Sequence, residues 1–122
     1  MIILLGDFNA QVGAREEEGE EDDLWQQERG PHGLGQCNDS GKELLAFLAR
    51  NEFIIFNTWF KKKDIHKKTW QNPKSKQWHC IDYAIMRRQD RKRCLNATVK
   101  HGAECNTDHQ LLCIKVRITL QE

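Results

Sequence analysis

Five polar side chains stand where they could do chemistry together. Asp7 and Asn9 follow directly on the aliphatic run of residues 2–5 in IILLGDFNA, Asp82 interrupts the apolar stretch HCIDYAIM, and Asp108 and His109 are adjacent in NTDHQLL, just before another apolar run. An imidazole held by a carboxylate has its tautomer fixed and stays charged or polarised toward an anion such as a phosphate. Asp7 and Asn9 admit two readings. Gly, Asp and Asn commonly close strands by hydrogen-bonding their own backbone in a turn; alternatively, a buried strand holds the two side chains rigidly at a sheet edge, where many α/β proteins bind ligands. Alternation along 80–85 places Ile81, Tyr83 and Ile85 on one face and Cys80, Asp82 and Ala84 on the other. A carboxylate buried there needs a partner, and Asp108–His109 offers one; if that face is solvated, it needs none.

The elements that must position these groups are short. Ser40 followed by Glu43 has the form of a capping box, and Leu44, Leu45, Phe47 and Leu48 supply an apolar stripe, which predicts a helix over 41–51 ending at Asn51. Strands are expected at 2–5, 53–58, 79–88, 95–99 and 111–118, with a basic loop or hairpin arm at 61–68 and a turn at 72–75. The pattern is a strand-rich α/β or α+β domain, with helix on one side of a mixed or antiparallel sheet.

The length of 122 residues suits one small domain or a piece of a larger one. The apolar runs fall far short of the roughly 18 residues that span a bilayer, and the start lacks a basic, cleavable leader, so no membrane partner is expected. Five cysteines without a C-x-x-C pair fit reduced thiols inside a cell. Cys105 and His109 have a zinc-like spacing, but no second pair accompanies them, and the simpler reading makes both core residues. Residues 16–28 hold eight acids and no base, whereas the chain from Arg29 onward holds 18 Lys and Arg against nine Asp and Glu, a charge of +9. A basic body suits a polyanion such as nucleic acid, although it also serves simply as a soluble surface. Residues 15–36 are expected to form a mobile acidic loop.

GDFNA at 6–10, NTWF at 57–60, TW at 69–70, IDYAI at 81–85 and TDHQLL at 107–112 occur in an order and spacing that resemble the C-terminal half of the endonuclease/exonuclease/phosphatase (DNase I-like) superfamily, in particular the apurinic-type endonuclease of RTE-type non-LTR retrotransposons. The resemblance implies part of a four-layer α/β sandwich and metal-dependent cleavage of DNA phosphodiester bonds. It implies that Asp7 aligns and deprotonates the attacking water, Asn9 holds a phosphate oxygen, His109 contacts the scissile phosphate and Asp82 holds the imidazole. Asp108 would belong to a Mg²⁺ or Mn²⁺ site, and Trp70, Lys67 and Lys68 would lie beside DNA. As residues alone, Trp70 reads equally as core. The implied setting is intracellular, in the nucleus with the DNA. Two departures stand out: the family's SDH is TDH here, and the family's first half, with its metal-binding glutamate, has no counterpart. The metal site is therefore expected to be incomplete, one face of the sheet uncovered, and the chain weak or inactive unless an N-terminal half complements it. The alternative is a non-catalytic nucleic-acid-binding or interaction module.

Overall fold

The computed structural model describes residues 1–15, 25–101 and 108–118. Its centre is strand β5 (Asp82–Arg87), flanked by β1 (Ile3–Asp7) and β2 (Phe53–Ile55) in the order β1-β5-β2. Both pairings are antiparallel. In β1–β5, Leu5 faces Ala84, Gly6 faces Tyr83 and Asp7 faces Asp82. Two further antiparallel ladders complete the strands: a hairpin of β3 (Trp70–Gln71) with β4 (Trp78–His79), and the pair β6 (Cys94–Lys100) with β7 (Leu111–Val116).

Every side chain of β5 from Tyr83 to Met86 is buried, because the strand carries a core on each face. Tyr83 and Ile85 join Val12, Ile55, Leu45 and Leu48 beneath helix α1 (Asp39–Asn51). Ala84 and Met86 join Ile54, Phe56 and Ala97, with Leu112, Ile114 and Val116 of β7 packed over them. The single sheet with one uncovered face is thus corrected. Alternate residues of β5 are apolar on both sides, and β6–β7 folds over the face opposite the helix. The class is α+β.

The helix begins earlier than its stripe suggests. Asn38, not Ser40, is the cap: its side-chain oxygen accepts the Gly41 N–H at 2.8 Å and also the Gln11 N–H at 3.1 Å, tying the helix start to the loop after β1. The far end matches expectation, with Asn51 the last helical residue and Glu52 turning out in the left-handed region (φ 56°). The run at 53–58 is extended only to Ile55, and Phe56–Trp59 is a 3₁₀ turn. The turn at Asn72 forms as expected: its side chain accepts the Lys74 N–H at 2.9 Å, but it joins a two-residue hairpin rather than leading into one long strand over 79–88.

Two further expectations need correction. Strand β1 is not buried; Leu4 and Leu5 are 39% and 63% exposed, because β1 lies at the sheet edge. Of the segment expected to be mobile, residues 16–24 lie outside the described residues, while 25–36 are anchored. Glu28 is buried and pairs with Arg88 at 2.9 Å, Arg29 Nη1 donates to the Val12 carbonyl, and the Gly30 N–H donates to the Thr58 hydroxyl at 2.7 Å.

Gly41 marks how closely the helix approaches that loop. A Cβ at this position would lie 1.9 Å from the Gln11 carbonyl oxygen, an impossible contact with backbone. Gly41→Ala is therefore expected to lower unfolding stability by about 2 kcal/mol, despite alanine's better helix propensity, while Lys42→Ala changes it by less than about 0.5 kcal/mol. Urea denaturation of both variants checks this, and equal midpoints would contradict it.

Candidate functional site

Antiparallel pairing sets Asp7, the last residue of β1, directly opposite Asp82, the first of β5. Like charges opposed across two strands repel. His109 lies between them: its Nδ1 is 2.8 Å from Asp82 Oδ2, and its Nε2 is 3.6 Å from Asp7 Oδ2. The ring nitrogen and the two carboxylates fall within 4.8 Å of one another, as donor atoms around one cation would.

The charge on His109 follows from its surroundings. Partial burial lowers its proton affinity, but the hydrogen bond to Asp82 and the negative charges of Asp82, Asp7 and Asp108 outweigh this, so its pKa is raised above the usual 6.5. Protonation is therefore easier than for a free imidazole. Nδ1 is placed to donate to Asp82, and in the protonated ring Nε2 donates on the Asp7 side.

Each carrier is held independently. Asp7 Oδ1 accepts the Asn9 N–H at 2.8 Å, which leaves the other oxygen for His109; the turn reading and the site reading of Asp7 therefore describe its two oxygens. Asn9 adopts φ 47°, a left-handed conformation that asparagine tolerates, and its side chain is exposed beside Asp7. His109 makes an antiparallel bridge with Trp70, and the next residue, Gln110, donates its N–H to the Thr69 carbonyl at 2.7 Å.

Asp108 sits outside the three-donor cluster. Its Oδ2 accepts the Trp70 indole N–H at 3.3 Å, so the indole is part of the scaffold, half-buried, with its ring 6.5 Å from that of His109. Lys67 and Lys68 diverge. Lys67 folds back with its side chain 16% exposed, 3.9 Å from Asp64, against an interior cavity. Lys68 lines a surface groove with Gln11, Lys76, Trp78 and His79. His109 is half-buried rather than a core residue, and Cys105, its candidate zinc partner, lies outside the described residues.

Two residues with no role assigned from sequence hold Asp82. Asn57 donates to the Asp82 carbonyl at 3.0 Å and accepts the Ala84 N–H at 2.9 Å, and buried Thr69 takes the N–H groups of Ile81 and Asp82 on its hydroxyl. Both lie in the short motifs NTWF and TW, which was the signal available. Cys80 packs behind the same carboxylate; burial and the Asp82 charge push its thiol up to about 12, so it is no nucleophile at neutral pH. None of the described cysteines is in a disulfide. No helix among the described residues is long and apolar enough to cross a membrane.

No protein-family model matches the chain. Two curated relatives do, and both bear one name. This chain is similar in sequence to craniofacial development protein 2. It is 34% identical over 121 residues, 99% of its own length, to the proteins of that name from Bos taurus and Tragulus javanicus. The chain spans about a fifth of the length of these relatives, 19% and 20% respectively.

The raised pKa gives the site a signature in solution. Because the folded ring binds its proton more tightly than an ordinary histidine, the stability His109 contributes is fully present below about pH 6.5. It fades as pH rises through the raised folded value. Asp82→Asn is expected to bring the ring's midpoint back toward the usual value in an NMR titration of its Cε1 proton. A midpoint in the parent chain no higher than in Asp82→Asn would refute the arrangement.

Proposed function

We propose that the chain carries part of a phosphodiesterase centre whose complete form cleaves DNA with the help of a divalent metal, and that it is weak or inactive alone. One observation carries this reading: an imidazole whose two ring nitrogens face two carboxylates at the adjoining ends of paired strands. In-line hydrolysis of a phosphodiester needs an aligned water, fixed donors to the non-bridging oxygens and a cation over the developing charge. In this assignment Asp7 takes the proton of the water and Asn9 donates to a phosphate oxygen. His109 donates from Nε2 to the phosphate, and Asp82 keeps the ring oriented and charged. The ordered sequence motifs that resemble the endonuclease/exonuclease/phosphatase superfamily support the same roles.

Carboxylate oxygens are the hard donors that Mg²⁺ or Mn²⁺ takes. Asp108 would contribute to holding such an ion, with Asp7 the other carboxylate that could reach it. Two carboxylates leave a six-coordinate ion short of protein ligands, so the set fits the ion only in part. When bound, the metal would neutralise charge developing on the phosphate.

The basic surface favours nucleic acid as substrate, and the groove lined by Lys68, Lys76, Trp78 and His79 has the cations and aromatic rings that suit a phosphate chain with bases. The same surface supports a second reading, a nucleic-acid-binding module without cleavage. DNA binding that weakens with salt, yet is unchanged in Asp7→Ala and His109→Ala, would favour that module.

Purified chain incubated with supercoiled plasmid and Mg²⁺ is expected to nick slowly or not at all. Whatever nicking occurs should require the metal and fall at least about tenfold, more than 1.4 kcal/mol of barrier, in His109→Ala and Asp7→Asn. Nicking equal in all three proteins would come from a contaminant and would defeat the reading. Sub-stoichiometric Mn²⁺ should broaden the NMR signals of Asp7 and Asp108 first; broadening confined to residues elsewhere would remove the metal from it.

A further inference from the structure

The pair at the heart of the site hangs on one side chain that touches neither of its carboxylate–imidazole atoms. Thr69 is wholly buried, and its hydroxyl oxygen accepts the Ile81 N–H at 3.1 Å and the Asp82 N–H at 3.3 Å, where the chain leaves the β3–β4 hairpin to begin β5. The hydroxyl proton points to the His79 carbonyl at 3.5 Å. The main chain of the same residue is engaged on both sides: its N–H donates to the His79 carbonyl at 2.9 Å, and its carbonyl accepts the Gln110 N–H at 2.7 Å. One residue thereby fixes the backbone of Asp82 and of the segment bearing His109, two parts of the chain 27 positions apart whose side chains meet at 2.8 Å.

The geometry points to Thr69 as the positioning residue of the Asp82–His109 pair, acting through its hydroxyl. The inference rests on the site reading above. It adds a residue that meets neither substrate nor metal and yet sets whether the imidazole is aimed. A buried oxygen that accepts two adjacent backbone N–H groups cannot be replaced by a methyl of equal size without stranding both donors, so the start of β5 would shift to find other acceptors. Hydrogen-bonded networks of this kind hold a functional group within a few tenths of an ångström, and small displacements there are costly to catalysis. Asn57, which grips the Asp82 carbonyl at 3.0 Å from the other side, keeps Asp82 near its place in such a variant, so Thr69 governs aim rather than the presence of the fold.

The test compares Thr69→Val, which keeps shape and loses the hydroxyl, with Thr69→Ser, which keeps the hydroxyl. The readout is the downfield NMR resonance of the His109 Nδ1 proton donated to Asp82, which a merely structural threonine would not control. In the parent chain and Thr69→Ser this resonance is expected to be present. In Thr69→Val it should vanish, or exchange with water at least tenfold faster, while circular dichroism still shows a cooperative melt; kcat for plasmid nicking should fall about tenfold with KM within twofold. A folded Thr69→Val with an unaltered resonance would overturn the inference, as would a Thr69→Ser that fails to restore it. Should Thr69→Val not fold, hydrogen exchange in the unsubstituted chain decides: slow exchange of the Ile81 and Asp82 amides supports the hydroxyl as their acceptor, and loop-like rates overturn it. The resonance requires no substrate, so nicking absent from every protein would count against the phosphodiester reading and leave the resonance to judge Thr69.

Discussion

Everything in this molecule that bears on chemistry depends on a repulsion resolved. The register of β1 against β5 brings Asp7 and Asp82 face to face, an arrangement two strands avoid unless a cation joins them. His109 stands between them, and the two carboxylates raise its affinity for the proton that makes it such a cation. The dependence runs both ways: without the imidazolium the strand ends oppose each other, and without both acids the ring loses its reason to hold a proton. A slip of one residue in β1 would turn Asp7 to the other face of the sheet and expose the pairing to water, so the register of the core and the integrity of the site are one constraint.

Rigidity at the site comes from small polar groups set among apolar ones. β5 is locked along its length by a core on each face, and Tyr83 reinforces the helix side by donating its hydroxyl to the Cys80 carbonyl at 2.7 Å while accepting the Val12 N–H at 3.1 Å. At the opposite end of the strand, the buried Glu28 carboxylate meets Arg88 and ties the loop before Gly30 to the sheet. The central strand is therefore pinned at both ends by charge and along its middle by packing. Such a strand suits a site whose geometry must not relax.

The sequence disclosed the site more readily than the scaffold. Asp7, Asp82 and His109 could be picked out because each polar residue interrupts or abuts an apolar run, but the expectation that Asp7 joins the other two came only with the family resemblance; the fold class followed from short alternating runs around one amphipathic helix. What stayed hidden was set by contacts between distant segments. Asn38 displaced Ser40 as the cap because it also reaches Gln11, which no local pattern reveals. Burial of both faces of β5 was legible only in part, since Ala84 and Met86 are as consistent with a lightly covered surface as with a second core. Lys67 and Lys68 are neighbours of the same type, yet one turns to Asp64 and the other to a groove, a divergence decided by the 3₁₀ turn at Asp64–His66. Thr69 and Asn57 escaped assignment because residues that position others carry no chemical signature of their own.

The exposed flank of β1 has a consequence for handling this polypeptide. Among the described residues its outer row of amides and carbonyls has no neighbouring strand, and Leu4 and Leu5 beside it carry no lysine or proline to discourage company. Concentrated in solution, such a border invites stacking of like molecules into sheets that grow beyond any closed assembly.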